Sequence, residues 1–416
     1  MENHSSLSRR TILRRSAAIP AASIALGTAA HAQSSSGLPP AVPESMRTPG
    51  GPFLNPPYGL PSEFEKGVVR VLPAGNNPFP TGSRTPLQSL HGIITPNGLF
   101  FERHHAGVPK INPDHHRLMV HGMVKRPLIL SMEDLMRFPS VSKIHFLECS
   151  GNSSSQYTGP SGKTAQEIHG LLSCVEWTGV KLSTILAEVG VDPKAKWILA
   201  EGTDAAAMTR SIPMNLAMGD AMLAYAQNGE KLRPEQGYPL RLFLPGIEGN
   251  MSIKWLRRLK IGDKPFYTRE ETSKYTDLQP DGSSFEFTFL MDVKSVILTP
   301  SGGQKITKGF HEITGVAWTG YGRVKAVDIS TDGGKTWRQS VLQEPVLSKA
   351  LTRFRFPWQW DGNPVIIQSR AIDEAGNVQP IRKKIIDKRG TNQIYHYNAI
   401  QSWKISETGE VTNVHA

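Results

Sequence analysis

Only two cysteines, Cys149 and Cys174, occur in 416 residues. That excludes a disulfide framework, a four-thiolate zinc or iron–sulfur centre, and a covalently attached haem, which needs C-x-x-C-H. A single Cys149–Cys174 disulfide stays open to the chain in an oxidising compartment. No G-x-S-x-G frame surrounds Ser150, so the nucleophile elbow of a hydrolase is absent. No Lys/Arg tract is interleaved with aromatics, so the footprint of nucleic-acid binding is missing. Long apolar runs are missing too: Ala17 to Ala30 is about 14 mostly small residues, too short to cross the roughly 30 Å of a bilayer core.

The 38 Gly and 31 Pro speak for many turns between short strands and against a helical bundle. A chain of this length exceeds what one core usually organises, so two domains are expected. The formal charge is +11, and it falls to +8 without residues 1–32, which hold Arg9, Arg10, Arg14 and Arg15 against Glu2. Such an excess suits anionic substrates or acidic partner surfaces. Those arginines, the mild Ala-rich stretch and Ala30-His31-Ala32 read as a twin-arginine signal over 1–32, cleaved after Ala32, which implies export of a folded protein to the periplasm. A Pro-rich arm without a core of its own follows over 33–86.

From residue 87 to 285 the pattern is α+β. Ser131 followed by Asp134 reads as the capping-box start of a short helix. Leu182, Ile185, Leu186 and Val189 fall at helical spacing, with Gly190 as the stop. Arg117–Gly122, Trp197–Ala200, Leu240–Leu244 and Trp255–Ile261 read as strands. Over 286–416 six short apolar runs, Val293–Leu298, Glu312–Trp318, Lys325–Ser330, Thr336–Leu342, Arg353–Trp358 and Val365–Ala371, are separated by Gly-rich turns. That texture predicts a β-sandwich of immunoglobulin type. The basic cluster Arg382, Lys383, Lys384, Lys388 and Arg389 reads mostly as a solvated face.

Chemistry concentrates at Ile144-His145-Phe146-Leu147-Glu148-Cys149-Ser150-Gly151-Asn152, where an apolar run delivers a thiol to a loop rich in Gly and Ser. A lone Cys in such a run is usually inert core, so this residue type alone settles nothing. His104, His105, His115 and His116 invite a metal, but neighbours in an extended segment point to opposite faces. Arg103 beside them suits an oxyanion or a phosphate.

Taken together, Phe100-Phe101-Glu102-Arg103-His104-His105 with Val108-Pro109, Leu147-Glu148-Cys149-Ser150-Gly151-Asn152, Glu201-Gly202-Thr203-Asp204, Tyr238-Pro239-Leu240-Arg241 and Ser252-Ile253-Lys254-Trp255-Leu256 resemble the motifs of the sulfite oxidase family of molybdenum enzymes. Within it the chain looks most like the SoxC-type branch, the molybdenum subunits of bacterial sulfur (sulfane/sulfite) dehydrogenases. The resemblance spans roughly 85–400. It implies an α+β molybdopterin-binding domain followed by an immunoglobulin-like dimerisation domain, a molybdenum-molybdopterin cofactor, no haem in this chain, and oxo transfer at sulfur. Implied partners are a second copy of the chain and a c-type, dihaem cytochrome subunit in a heterotetramer, with a sulfur-carrier protein as substrate. A free-sulfite dehydrogenase with its own cytochrome c acceptor is the alternative.

Carried over by position, the resemblance makes Cys149 the molybdenum ligand. It places His105, Asp204, Arg241, Ser252 and Lys254 on the pterin and its phosphate, and Arg103, Tyr275 and Arg389 in the substrate pocket. His104 stands where the family has Asn. Gln236 stands where a pterin-binding His is expected. Ser153 and Ser154 replace two arginines of the animal and plant members, and Ile168 or His169 replaces a pocket Trp. The last two departures are expected to strip charge and bulk from the pocket and admit a larger substrate.

Overall fold

Thr352–Trp360 shows why the second half of the chain is sheet. Phe354, Phe356, Trp358 and Trp360 face inward while Arg353, Arg355, Pro357 and Gln359 alternate outward, the period of a half-buried strand. The computed structural model describes residues 61–72 and 81–416. The predicted leader and most of the predicted arm lie outside the described residues. Glu63–Ala416 forms one compact unit.

Two five-stranded sheets carry the first half. In one, Met222–Gln227 lies between Glu230–Lys231 and the long strand Leu172–Lys181, Ser140–Glu148 forms the far edge, and Arg241–Phe243 also pairs with Met222–Gln227. The other runs Leu128–Leu130, Leu118–Gly122, Leu256–Gly262, Trp197–Gly202, Thr209–Pro213, with one parallel contact between Leu118–Gly122 and Leu256–Gly262. The expected local devices are present. Ser131 and Asp134 exchange side-chain and backbone bonds at the start of Met132–Met136. Leu182–Val189 buries the predicted four residues and ends on Gly190 at φ 64°, a left-handed position glycine takes without strain.

The second half is a sandwich of a four-stranded and a five-stranded sheet. Thr336–Leu342 is not one strand, however. Arg338–Gln339 pairs with Val324–Ser330 in one sheet and Val341–Gln343 pairs with Thr352–Trp360 in the other. The chain changes sheets at Ser340, whose N–H and hydroxyl both donate to Val327 O. Three elements were not expected: the helix Arg382–Arg389 and the strands Ser402–Ile405 and Val411–Val414. The end of the predicted arm is also part of the fold. Thr81–Ser83 pairs with Glu102–His104, and Ser83 and Thr85 are buried. Backbone pairing there gives the segment hydrogen bonds that a free arm lacks.

The halves share a core. Leu87, Phe146, Ala165, Ile168, Leu172 and Cys174 of the first pack in one cluster with Val296, Trp318, Phe354 and Trp403 of the second. A buried ion pair crosses with it: Lys294 Nζ lies 3.2 Å from Glu148 Oε1. The strand that presents Cys149 is therefore seated on the sandwich.

Candidate active site

Ser140–Glu148 emerges from this shared core and stops one residue before Cys149. The Cys149 N–H donates to Leu171 O at 3.0 Å, and the Asn152 N–H donates to Cys149 O at 2.9 Å, closing a tight turn. The Asn152 side chain donates to Glu148 Oε1 and His169 O and accepts from Leu171 N. Both cysteines are free thiols. Cys174 sits fully buried on the neighbouring strand, in register with Phe146, while Cys149 borders a cavity. Burial pushes the Cys149 thiol up, opposed by a backbone bond and by the charge of Arg103.

The cavity is open to solvent, holds about 80 Å³ of water-accessible space, and has two ends of different chemistry. At one, Arg241 is buried, with Nη1 donating to Gln236 O and Nη2 to Ser252 O, both at 3.0 Å, and its guanidinium 5.0 Å from the Trp177 ring centre. Its Nε has no hydrogen-bond partner. Lys254 Nζ donates to Arg103 O and Glu235 O at 3.0 Å and lies over the Trp255 ring. Burial lowers Arg241 to about 9 and Lys254 to about 7, where the charge of Arg241 adds to the effect. Gln236 is held by Phe101 O, and the Ser252 hydroxyl accepts from Leu244 N. Asp204 also lines the cavity and accepts weakly from Met208 N. Cations so poorly compensated are set for an anion that the protein alone does not provide.

At the other end Cys149 is joined by Arg103, His104, His105 and Tyr275. His105 Nε2 lies 3.1 Å from the Tyr275 hydroxyl. Burial and the charges of Arg103 and Lys254 hold His105 down to about 4, so it is neutral at pH 7. Burial pushes the Tyr275 phenol up, and it stays protonated. His104 leans on Glu102 at 3.5 Å and leaves Nδ1 without a partner.

Ten predicted site residues thus line one cavity, and Arg389 does not. Its guanidinium is buried against Asp277 at 3.2 Å, with Asp292 at 3.9 Å. An arginine inside the protein goes to the carboxylate that compensates it. Ser153, Ser154, Ile168 and His169 also lie off the cavity wall. Ser153 takes φ 67°, which swings its hydroxyl beneath the strand to His169 Nδ1 at 2.7 Å, where it accepts from Lys294 Nζ. Sequence reasoning missed Asn250 and Met208 on the wall and two groups behind Tyr275. Tyr395 packs against the Tyr275 ring at 5.2 Å, and Arg210 lies beneath it at 5.1 Å. Arg84 was missed as well; it is near enough to Cys149 for their charges to interact. Asn250 carried a signal, two residues before a recognised motif. Arg210 carried none, because its importance comes from burial alone.

The end that holds Arg241 and Lys254 makes a prediction about pH. Lys254 has a folded value of about 7 against an ordinary 10.5. Between those values the unfolded chain holds a proton that the folded chain has released, so cofactor-free protein is expected to gain stability as pH rises through that window. Below about 7 both states are charged and the full cost is present. Denaturant midpoints at about pH 7 and about pH 9.5 check this. The rise should vanish in Lys254→Met and in cofactor-loaded protein, where a bound phosphate keeps the ammonium charged.

These features fit molybdopterin: a soft thiol for the metal, and at the far end cations and amide donors with unfilled bonding capacity for a phosphate-bearing tail. Among the described residues no group of three or more His, Cys, Asp or Glu is placed to hold a metal.

Comparison with known proteins gives the same picture. Residues 105–269 match the oxidoreductase molybdopterin binding domain, and 286–403 match the Mo-co oxidoreductase dimerisation domain. Human mitochondrial sulfite oxidase is 32% identical over 336 residues, 73% of this chain and 61% of that protein. Chicken sulfite oxidase is 31% identical, covering 73% of this chain and 72% of that one. The chain thus spans about three fifths of the human protein's length. The crystal structure of the sulfane dehydrogenase SoxCD from Paracoccus pantotrophus superposes with a TM-score of 0.86 at 46% identity, covering 89% of this chain and 96% of that one. By these matches the chain belongs to the sulfite oxidase family of molybdopterin oxidoreductases.

Proposed function

We propose that this chain is the molybdenum subunit of a periplasmic sulfane dehydrogenase, oxidising sulfur carried on a partner protein and passing electrons to a c-type cytochrome subunit. The observation that carries this reading is the 46% identity, over nearly all of its length, to a chain of a sulfane dehydrogenase, against 32% to human sulfite oxidase. The match of the sandwich to a dimerisation domain supports a homodimer within a heterotetramer.

When bound, the cofactor supplies two-electron oxo-transfer chemistry at sulfur, with Cys149 holding the metal. Arg241, Lys254, Ser252, Gln236 and Asp204 would hold the pterin and its phosphate. The protein's own part at the reacting end is electrostatic. Arg103 donates to His104 O at 2.7 Å, which fixes its fork beside Cys149. There it would bind the anionic oxygens that develop on the sulfur. Tyr275 stays protonated and His105 neutral, so the pair shares one hydrogen bond. With the Nε2–H tautomer, His105 donates to the phenol oxygen and leaves the phenolic O–H to donate into the cavity. Phe100, Phe101 and Leu147 close the wall and exclude water. Arg389 is bound to Asp277 and lies off the cavity wall.

The test is substrate preference in purified, molybdenum-loaded protein with a c-type cytochrome acceptor. A thiol-bound sulfane is expected to exceed free sulfite in kcat/KM by at least about tenfold, or 1.4 kcal/mol in barrier. The reverse order would instead establish a free-sulfite dehydrogenase. Recovery of the chain in the periplasmic fraction, shortened after Ala32, checks the location.

A further inference from the structure

We propose that Lys294, on the first strand of the sandwich, is a positioning residue that staples the Cys149 loop from behind. The loop leaves the sheet at Glu148 and re-enters the fold at Ser153. One ammonium holds both ends: Lys294 Nζ lies 3.2 Å from Glu148 Oε1 and donates to Ser153 Oγ at 3.0 Å. Lys294 and Glu148 are each 1% exposed. Trp318, from the next strand of the sandwich, donates Nε1 to Glu148 Oε2 at 2.6 Å and faces the same ammonium with its ring at 5.5 Å. Both carboxylate oxygens of Glu148 are thus fixed by the sandwich, one residue before the thiol.

Such a tie is consequential only if the loop can move without it. A small polar cleft lies behind the loop, lined by Glu148, Ser150, Asn152 and Lys294, with about 10 Å³ of water-accessible space, room for about one water. Without Lys294 the two ends of the loop lose their common anchor, and residue 148 is free to shift toward that polar cleft. The backbone of Cys149 would follow, because it is the next residue. Lys294 therefore acts on the cavity through Glu148 and touches nothing in it. The inference rests on Cys149 being the metal-facing thiol, and it adds that the sandwich sets where that thiol stands.

The two thiols make the test internal to the protein. In the cofactor-free full chain, the alkylation rates of Cys149 and Cys174 by iodoacetamide are followed residue by residue. Cys174, fully buried on the adjacent strand, reports general loosening, and Cys149 reports its loop. In Lys294→Met, Cys149 is expected to react about tenfold faster with Cys174 unchanged, the pattern of a local opening. Lys294→Arg should fall between that variant and the parent. The double variant Glu148→Gln/Lys294→Met removes the buried charges together and keeps the test available where the single variant fails to fold; Cys149 should remain fast in it. In loaded protein, the paramagnetic resonance signal of molybdenum should shift and kcat should fall by about tenfold with KM within about twofold, since the geometry of the site changes while binding contacts stay. Equal acceleration of both thiols, or of neither, overturns the staple. Full molybdenum-dependent turnover in Cys149→Ser would overturn the ligand reading instead, whatever Lys294 does.

Discussion

Cys149→Ser is expected to give a folded protein whose turnover has fallen by about a thousandfold or more, roughly 4 kcal/mol of barrier. Folding should survive because the structural bonds of residue 149 are made by its backbone, to Leu171 and Asn152, and a serine keeps them. The side chain borders the cavity at the edge of a small apolar cluster, so the exchange costs little packing. A hard alkoxide is a poor substitute for a soft thiolate on molybdenum, and this is where the loss arises. Elemental analysis separates two routes to the same rate. Molybdenum retained with no turnover places the defect in chemistry at the metal, whereas molybdenum lost shows that the thiol also anchors the cofactor. A melting midpoint close to that of the parent protein completes the measurement.

Arg210→Met is expected to be the most damaging change for stability among residues that do not line the cavity. Arg210 is 0% exposed and lies between two buried carboxylates, Glu248 at 3.5 Å and Glu271 at 3.6 Å. Burial alone would raise Glu248, yet the bond to His396 and the charge of Arg210 hold it below the usual carboxylate range. Removing the cation leaves buried negative charge uncompensated, a loss of about 3–5 kcal/mol. Urea denaturation at neutral pH measures it. As pH falls, the carboxylates of the variant take up protons first and the gap to the parent should narrow. Arg210→Lys restores the charge without the planar group beneath Tyr275, so it should recover much of the stability and less of the turnover.

What could be read from the sequence was mostly short-range. The capping box at Ser131 and the stop at Gly190 depend on residues within one or two turns, and both are present as expected. Cys149 was visible as the end of an apolar run, and the cofactor-facing motifs are contiguous stretches. The strand Leu172–Lys181 was hidden because it is covered on both faces and mixes Ser, Thr, Gly and Glu with its apolar residues, which erases the period-two signal. The helix Arg382–Arg389 was hidden by its charge. Only Ile385 and Arg389 are buried, and the partners that make this favourable, Tyr157 and Asp277, are more than 100 residues away in sequence. The bond of Ser153 to the sandwich was hidden for the same reason. Its partner Lys294 is 141 positions distant, and no local pattern announces such a pairing.

The shared core has a consequence for biosynthesis. A ribosome releases the cysteine loop long before it makes Lys294, Trp318 or Trp403, so for much of translation Phe146 has no apolar neighbours from the sandwich and Glu148 has no counterion. The thiol is therefore not in register with the rest of the cavity until the last strands have docked. A nascent chain offers the cofactor only separate pieces of its berth. Loading is then expected to favour whole chains over prematurely terminated ones.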